Sequence, residues 1–337
     1  MKTIQHLIVT CLALFLTPLA VAQHQHAYIW NSTSGMQDIG TLGGNTSYAL
    51  GINDSGEVVG YSYLADNVTT HVFTWTASGG MIDLGALPGG SWTQGSAINS
   101  AGDIAGQGLD ANGKQVPFYW SPSGGFVSLG ENVGDSRNYG FGINDSSDVT
   151  GQEYEGEVVR AYSWTPGSVG VRDIGTLPWG IHSVGTAINN LQHVTGTAST
   201  SVVGRFVAFV WSKSGGMRQI AAISGGSYTA GQAINENDEV VGFGFNGTGK
   251  FIGFDWSRSA GITLLQTLGG IQSAGFGINR GGVITGYTTN AAESFHAATW
   301  ASKASVPLDL GTLPGGTNSY ARAINSSGQV VGYADVP

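Results

Sequence analysis

Beyond Cys11 the sequence contains no cysteine. A chain that starts after that residue has no disulfide to hold it together. Charge is scarce too, at 10% of residues against about 25% in an average protein. Lysine and arginine number 13 against 22 acidic residues and form no run along the chain. A clustered positive charge is what nucleic acid and anionic lipid surfaces demand, so neither is an expected partner. No run after Leu16 is long and apolar enough to span a bilayer. Nor is there a helical period, or the glycine at every third position that collagen requires.

Glycine is what the chain has in excess: 55 of 337 residues, about 16% where about 7% is usual. With 41% hydrophobic residues the chain is too apolar for disorder. Many short strands separated by turns account for both numbers. The first residues, MKTIQHLIVTCLALFLTPLAVAQ, place Lys2 before an uncharged apolar run from Leu7 to Leu16 and then Ala20-Val21-Ala22. That order is a secretory signal peptide over residues 1–22, cleaved after Ala22. The expected product is an exported single domain, residues 23–337, with 12 basic and 22 acidic residues.

Two independent markers reveal a repeat. A tryptophan ends a short apolar run at Trp30, Trp75, Trp120, Trp164, Trp211, Trp256 and Trp300. An Ile-Asn pair recurs at Asn53, Asn99, Asn144, Asn189, Asn235, Asn279 and Asn325. Both give seven copies of about 45 residues. Within a copy, four strand candidates alternate with turns, as in HAYIW, MQDIG, YALGIN and EVVGYS. Four strands per 45 residues is the signature of a propeller blade. The expected fold is an all-β, seven-bladed β-propeller.

Positions four and two residues before each asparagine hold only glycine or alanine, which marks YALGIN as the innermost strand, with one small-residue face. The chain opens on HAYIW and stops just past Val330-Val331-Gly332-Tyr333. One blade is therefore expected to be composite, with two inner strands from the C-terminus and two outer strands from the N-terminus.

His26-Ala27-Tyr28-Ile29-Trp30, followed by Asp38-Ile39-Gly40-Thr41-Leu42-Gly43-Gly44 and Gly51-Ile52-Asn53, closely resembles the HAF-repeat family. The resemblance covers essentially the whole chain after residue 22. DLGTLPGG recurs at Asp309 to Gly316, and the His-Ala-Phe triplet decays to His71-Val72-Phe73, Ala208-Phe209 and His296-Ala297-Ala298. The resemblance implies export and a repeat fold. It brings no catalytic residue with it.

In a symmetric array, function is sought where copies depart from the unit. The loop leading into each inner strand departs most in the third copy, Glu131-Asn132-Val133-Gly134-Asp135-Ser136-Arg137-Asn138. The fourth copy reads Leu177-Pro178-Trp179-Gly180-Ile181-His182, and the second adds Trp92. Trp92, Tyr139 and Trp179 are candidate platforms for sugar rings, with Arg137 beside them as a hydrogen-bond donor. Glu131 and Asp135, helped by His182, are the candidate catalytic groups if the protein cuts polysaccharide. Glu153, Glu155 and Glu157 alternate and are expected to be solvated on an outer hairpin.

The oxygen-rich Asn53-Asp54-Ser55-Gly56-Glu57 turn could suit calcium, but Asn279-Arg280-Gly281-Gly282 lacks the ligands. Neither a metal nor a cofactor is expected. His26, His71 and His296 begin strands in different copies and are expected to be structural. The leading expectation is a secreted binding module for a neutral glycan or an extracellular, cell-surface protein. A glycoside hydrolase or lyase is the alternative, and a structural or adhesion protein of the extracellular matrix is a third.

Overall fold

The computed structural model describes residues 24–129 and 137–337. The expected signal peptide, residues 1–22, lies outside them. Among the described residues every regular element is a strand, and no helix is long and apolar enough to cross a membrane. The strands form seven four-stranded antiparallel sheets arranged as the blades of a β-propeller.

Blade 1 runs outward through Gly43–Ile52, Val58–Leu64, Thr70–Thr76 and Gly80–Gly85. Blades 2 to 6 repeat this order, with innermost strands Thr93–Ile98, Tyr139–Ile143, Ser183–Ile188, Thr229–Ile234 and Gly269–Ile278. Blade 7 joins Ser319–Ile324 and Val330–Val336 to His24–Asn31 and Gly35–Gly40. The composite blade is as expected, and it leaves neither end of the ring with an unpaired edge.

Each innermost strand ends in a turn opened by the repeated asparagine, and these side chains link the blades. Asn53 Nδ2 donates to the Asn99 carbonyl at 3.1 Å, and Asn99 donates to Asn144 at 3.1 Å. The chain continues through Asn189, Asn235, Asn279 and Asn325, whose Nδ2 returns to the Asn53 carbonyl at 3.1 Å. Meanwhile each Oδ1 accepts backbone N–H groups of its own turn, such as those of Leu191 and His193 on Asn189. All seven asparagines are buried. Turn and inter-blade hydrogen bonds account for these asparagines.

The third residue after the asparagine has positive φ in every blade: glycine in four blades, and Ser147, Gln192 and Asp238 in blades 3, 4 and 5. Those three side chains reach back to the preceding blade, bonding Asp103, Asp148 and His193 at 2.6–2.7 Å. A second link crosses nearer the opposite end. Ser47, Thr93, Ser183, Thr229, Ser273 and Ser319 accept a backbone N–H from the third strand of the preceding blade at 2.8–3.1 Å. Blade 3 has Asn138 at this position, and its Oδ1 accepts the Tyr154 N–H instead.

The small residues of the innermost strand do not share one face. A β-bulge interrupts every inner pair between the two positions, as between Ala49 and Gly51. The extra residue reverses the facing. Position minus four looks at the preceding blade, where Gly140 abuts the Gly106 carbonyl. Position minus two looks at the following blade, where Gly51 abuts the Ala97 Cα. Both sides are crowded because the strands converge towards the axis.

Asn189→Ala removes the buried donor to blade 5 and leaves the Leu191 and His193 N–H groups of its own turn without their side-chain acceptor. It is expected to cost about 2–4 kcal/mol in urea unfolding at unchanged m-value. Deleting residues 320–337 opens the composite blade, and a cooperative melt from the truncated protein would contradict that role.

Candidate functional site

The antiparallel order gives the ring two distinct ends. The asparagine turns and the turns between third and fourth strands occupy a lower face. The loops into the innermost strands, with those between second and third strands, occupy an upper face. The described candidate site residues, Trp92, Arg137, Tyr139, Trp179 and His182, belong to the upper face or its border.

Trp92, Arg137 and His182 each stand seven residues before the repeated asparagine. They therefore hold one structural position in three successive blades. Trp92 is half-buried, and its carbonyl accepts the Leu109 N–H at 3.1 Å. Arg137 is exposed, with its guanidinium carbon 4.5 Å from the centre of the Tyr154 ring. Tyr139, two residues on, is half-buried and stacks on Phe141 with centroids 5.6 Å apart. Burial raises its phenol pKa, an effect opposed by Gln115 and the Arg137 charge. Glu131 and Asp135 lie outside the described residues.

His182 is bound into the scaffold. Its Nδ1 accepts the Val159 N–H at 3.2 Å, and its own N–H donates to Ser199 Oγ at 2.9 Å. Burial, and then the nearby Arg160 charge, lower its pKa and hold the ring neutral. Asn318 does the same job in blade 7, where its Oδ1 accepts the Phe295 N–H at 3.0 Å.

Trp179 is placed very differently. It is 87% exposed and has φ of 65°. In five other blades this position is Gly43, Gly89, Gly225, Gly269 or Gly315, with φ between 74° and 99°. A bulky side chain in this left-handed region costs about 1–3 kcal/mol. Ile181 is 59% exposed on the same loop, and Val202 and Val203 are exposed on the adjacent loop of blade 4. Ser199 ties the two loops, its hydroxyl accepting the N–H groups of both Ile181 and His182. Trp92 and Trp179 introduce blades 2 and 4, so they flank blade 3 rather than share one loop.

An aromatic arc on the upper part of blades 1, 7 and 6 was not among the sequence candidates. Tyr61, Tyr48, Tyr333, Tyr320, Tyr287 and Phe276 form an unbroken series with centroids 4.9–5.6 Å apart. Arg322 lies over Phe276 at 4.4 Å. Burial drives the Tyr61, Tyr287 and Tyr333 phenols up in pKa, and the Arg322 charge opposes it. The signal was a tyrosine eight residues after Asn53, Asn279 and Asn325, which reads as ordinary strand filling.

The acidic triplet is also not uniformly solvated. Glu155 and Glu157 are exposed, but Glu153 is buried opposite Arg160. His26, His71 and His296 each bond an aspartate of their own outer strand, Asp38, Asp83 and Asp309, at 2.7–2.9 Å.

No family model matches this sequence, and no curated protein matches it. Solved structures do resemble it. TolB from Acinetobacter baumannii superposes with a TM-score of 0.54 at 9% identity, over 84% of this chain and 64% of that one. Putative TolB from Agrobacterium tumefaciens gives 0.54 at 12% identity, over 94% and 99%. Virginiamycin B lyase from Staphylococcus aureus gives 0.52 at 10% identity, over 93% and 100%. At such identities the likeness shows the fold alone. This chain is a seven-bladed β-propeller.

Because the folded state lowers the His182 pKa, its contribution to stability is complete above the unfolded value of about 6.5 and lost as pH falls below it. Unfolding measured from pH 7.5 to 5 should show this loss. His182→Asn supplies the same acceptor and should remove that part of the pH dependence without lowering stability at pH 7.5.

Proposed function

We propose that this chain is a secreted binding module of the HAF-repeat type that holds a neutral carbohydrate on its upper face. The observation that carries this reading is Trp179. An indole placed in solvent at a backbone conformation its sister copies reserve for glycine contributes little to packing. Strain without a packing return is the mark of a residue kept for a ligand. A flat apolar ring facing water suits the C–H face of a sugar, which offers stacking without charge. The exposed Ile181, Val202 and Val203 widen the apolar ground beside it. Trp92, Arg137 and Tyr139, on the blades that precede it, add a half-buried indole, an exposed guanidinium and a phenol along the same rim.

An enzyme reading gains nothing from His182. Its Nδ1 is already occupied by the Val159 N–H, so it lacks the open lone pair that a general base would use there.

Residues 23–337 should be retained by a neutral polysaccharide from an immobilised panel, with no sugar released. Trp179→Gly should weaken retention about tenfold, the worth of one aromatic stack, while leaving the melting temperature unchanged or higher. Released sugar would make the protein an enzyme. Retention that survives Trp179→Gly would move the site elsewhere on the rim.

A further inference from the structure

The twelve lysines and arginines that follow the signal peptide are unevenly placed around the ring. Arg172, Lys213, Arg218, Arg258, Arg280 and Lys303 all fall on the lower face, in blades 3 to 6. Blades 1, 2 and 7 place none there. The phase of the repeat produces this arc. Lys213 and Arg258 follow Trp211 and Trp256 by two residues, Lys303 follows Trp300 by three, and Arg172 and Arg218 occupy matching fourth strands.

Acidic residues share this face, but they are committed to the turns. Asp148 bonds Asn144, Gln192 and Thr165, and Asp238 bonds His193. Asp145 and Glu236 accept backbone N–H groups of neighbouring blades. Of the cations, Lys303 is held by the buried Asp255 at 3.7 Å. Among the described residues, no carboxylate lies within ion-pair distance of Lys213, Arg218 or Arg258, and these three are exposed.

Two grooves flank blade 4 on this face. The larger, of 440 Å³, runs between Arg218 of blade 4 and Arg258 of blade 5, with Trp256 in its lining. It falls within the size range of small-ligand sites, about 300–1,000 Å³. The smaller, of 250 Å³, runs between Arg172 of blade 3 and Lys213 of blade 4, with Trp211 in its lining. The Arg172 guanidinium carbon is 5.9 Å from the Trp211 ring centre. The same arrangement thus occurs twice in adjacent positions: one cation from each of two blades, and a tryptophan between them.

We propose that the lower face of blades 3 to 5 binds an acidic polysaccharide. Its carboxylate or sulfate groups meet Arg218 and Arg258 in one groove and Arg172 and Lys213 in the next, with a sugar ring against the half-buried Trp256. Guanidinium groups pair planar oxyanions through two parallel hydrogen bonds, which favours arginine at such points. Paired cations separated by committed carboxylates suit a polymer whose charges are spaced one or two sugar rings apart. Nucleic acid carries a charge every ~1.7 Å, a density that two pairs of cations do not match on a chain already net negative. This site is at the opposite end of the ring from Trp179 and does not depend on the upper-face reading.

The test measures retention of residues 23–337 on polygalacturonate, dextran sulfate, neutral dextran and single-stranded DNA across a salt series. Binding to polygalacturonate or dextran sulfate is expected, with the stronger of the two naming the anion. Arg218→Gln combined with Arg258→Gln should weaken it at least tenfold and flatten its salt dependence. Lys114→Gln with Lys250→Gln makes the same charge change on upper-face loops and should leave it intact, as should Trp179→Gly. Equal loss from both double variants would overturn the site, because net charge alone would explain binding. Failure to bind either acidic polysaccharide, or equal binding to DNA, would overturn the ligand class.

Discussion

The rest of the structure depends on one closed circle of seven side-chain amides. Asparagine is suited to it because one short group carries both an acceptor and a donor. Its oxygen ends the innermost strand by gathering the N–H groups of its own turn. Its nitrogen then has a free proton aimed at the next blade's carbonyl. Aspartate would lose the donor, and glutamine would place the amide one methylene too far out. The circle closes from Asn325 to Asn53, so the two ends of the sequence are joined by the same bond that joins every other pair. A propeller whose sequence holds a single cysteine has to resist opening at its seam without a disulfide. Here the seam carries the composite blade, the amide circle and the Ser47 hydroxyl together.

Convergence towards the axis sets the second constraint. Innermost strands must contact both neighbours, and the bulge between positions minus four and minus two turns one small residue towards each. This explains why glycine and alanine occupy both positions in all seven blades, and why aromatic residues gather on the strand positions beside them. The upper half of the ring is accordingly rich in rings, from Tyr61 round to Phe276, with Arg322 set among them.

With the scaffold held from below and within, the two faces are free to diverge. Upper loops vary in content while keeping a common path, so that His182 and Asn318 perform one backbone task with different chemistry. Trp179 departs further, placing an indole where the path calls for glycine. The lower face diverges in charge instead. Its turns use their carboxylates in inter-blade bonds, while Lys213, Arg218 and Arg258 of blades 4 and 5 stand exposed with no carboxylate at ion-pair distance among the described residues.

The sequence by itself determined the blade count, the strand order and the composite closure, because each follows from the period of the repeat and its phase. Trp179 was legible as an oddity, since a tryptophan stands where LPGG has its first glycine. Its exposure and backbone strain were not, because both depend on the path of the loop above Ser199. His182 read as a candidate catalytic group from residue type alone, and only the neighbouring blade showed its Nδ1 already taken. The basic arc escaped a linear reading that looked for runs of lysine and arginine. Residues about 45 apart in the chain become neighbours only when consecutive blades stand side by side. That is the physical reason the tertiary structure had the last word: in a ring of repeats, adjacency is set by phase, and phase becomes distance only when the ring closes.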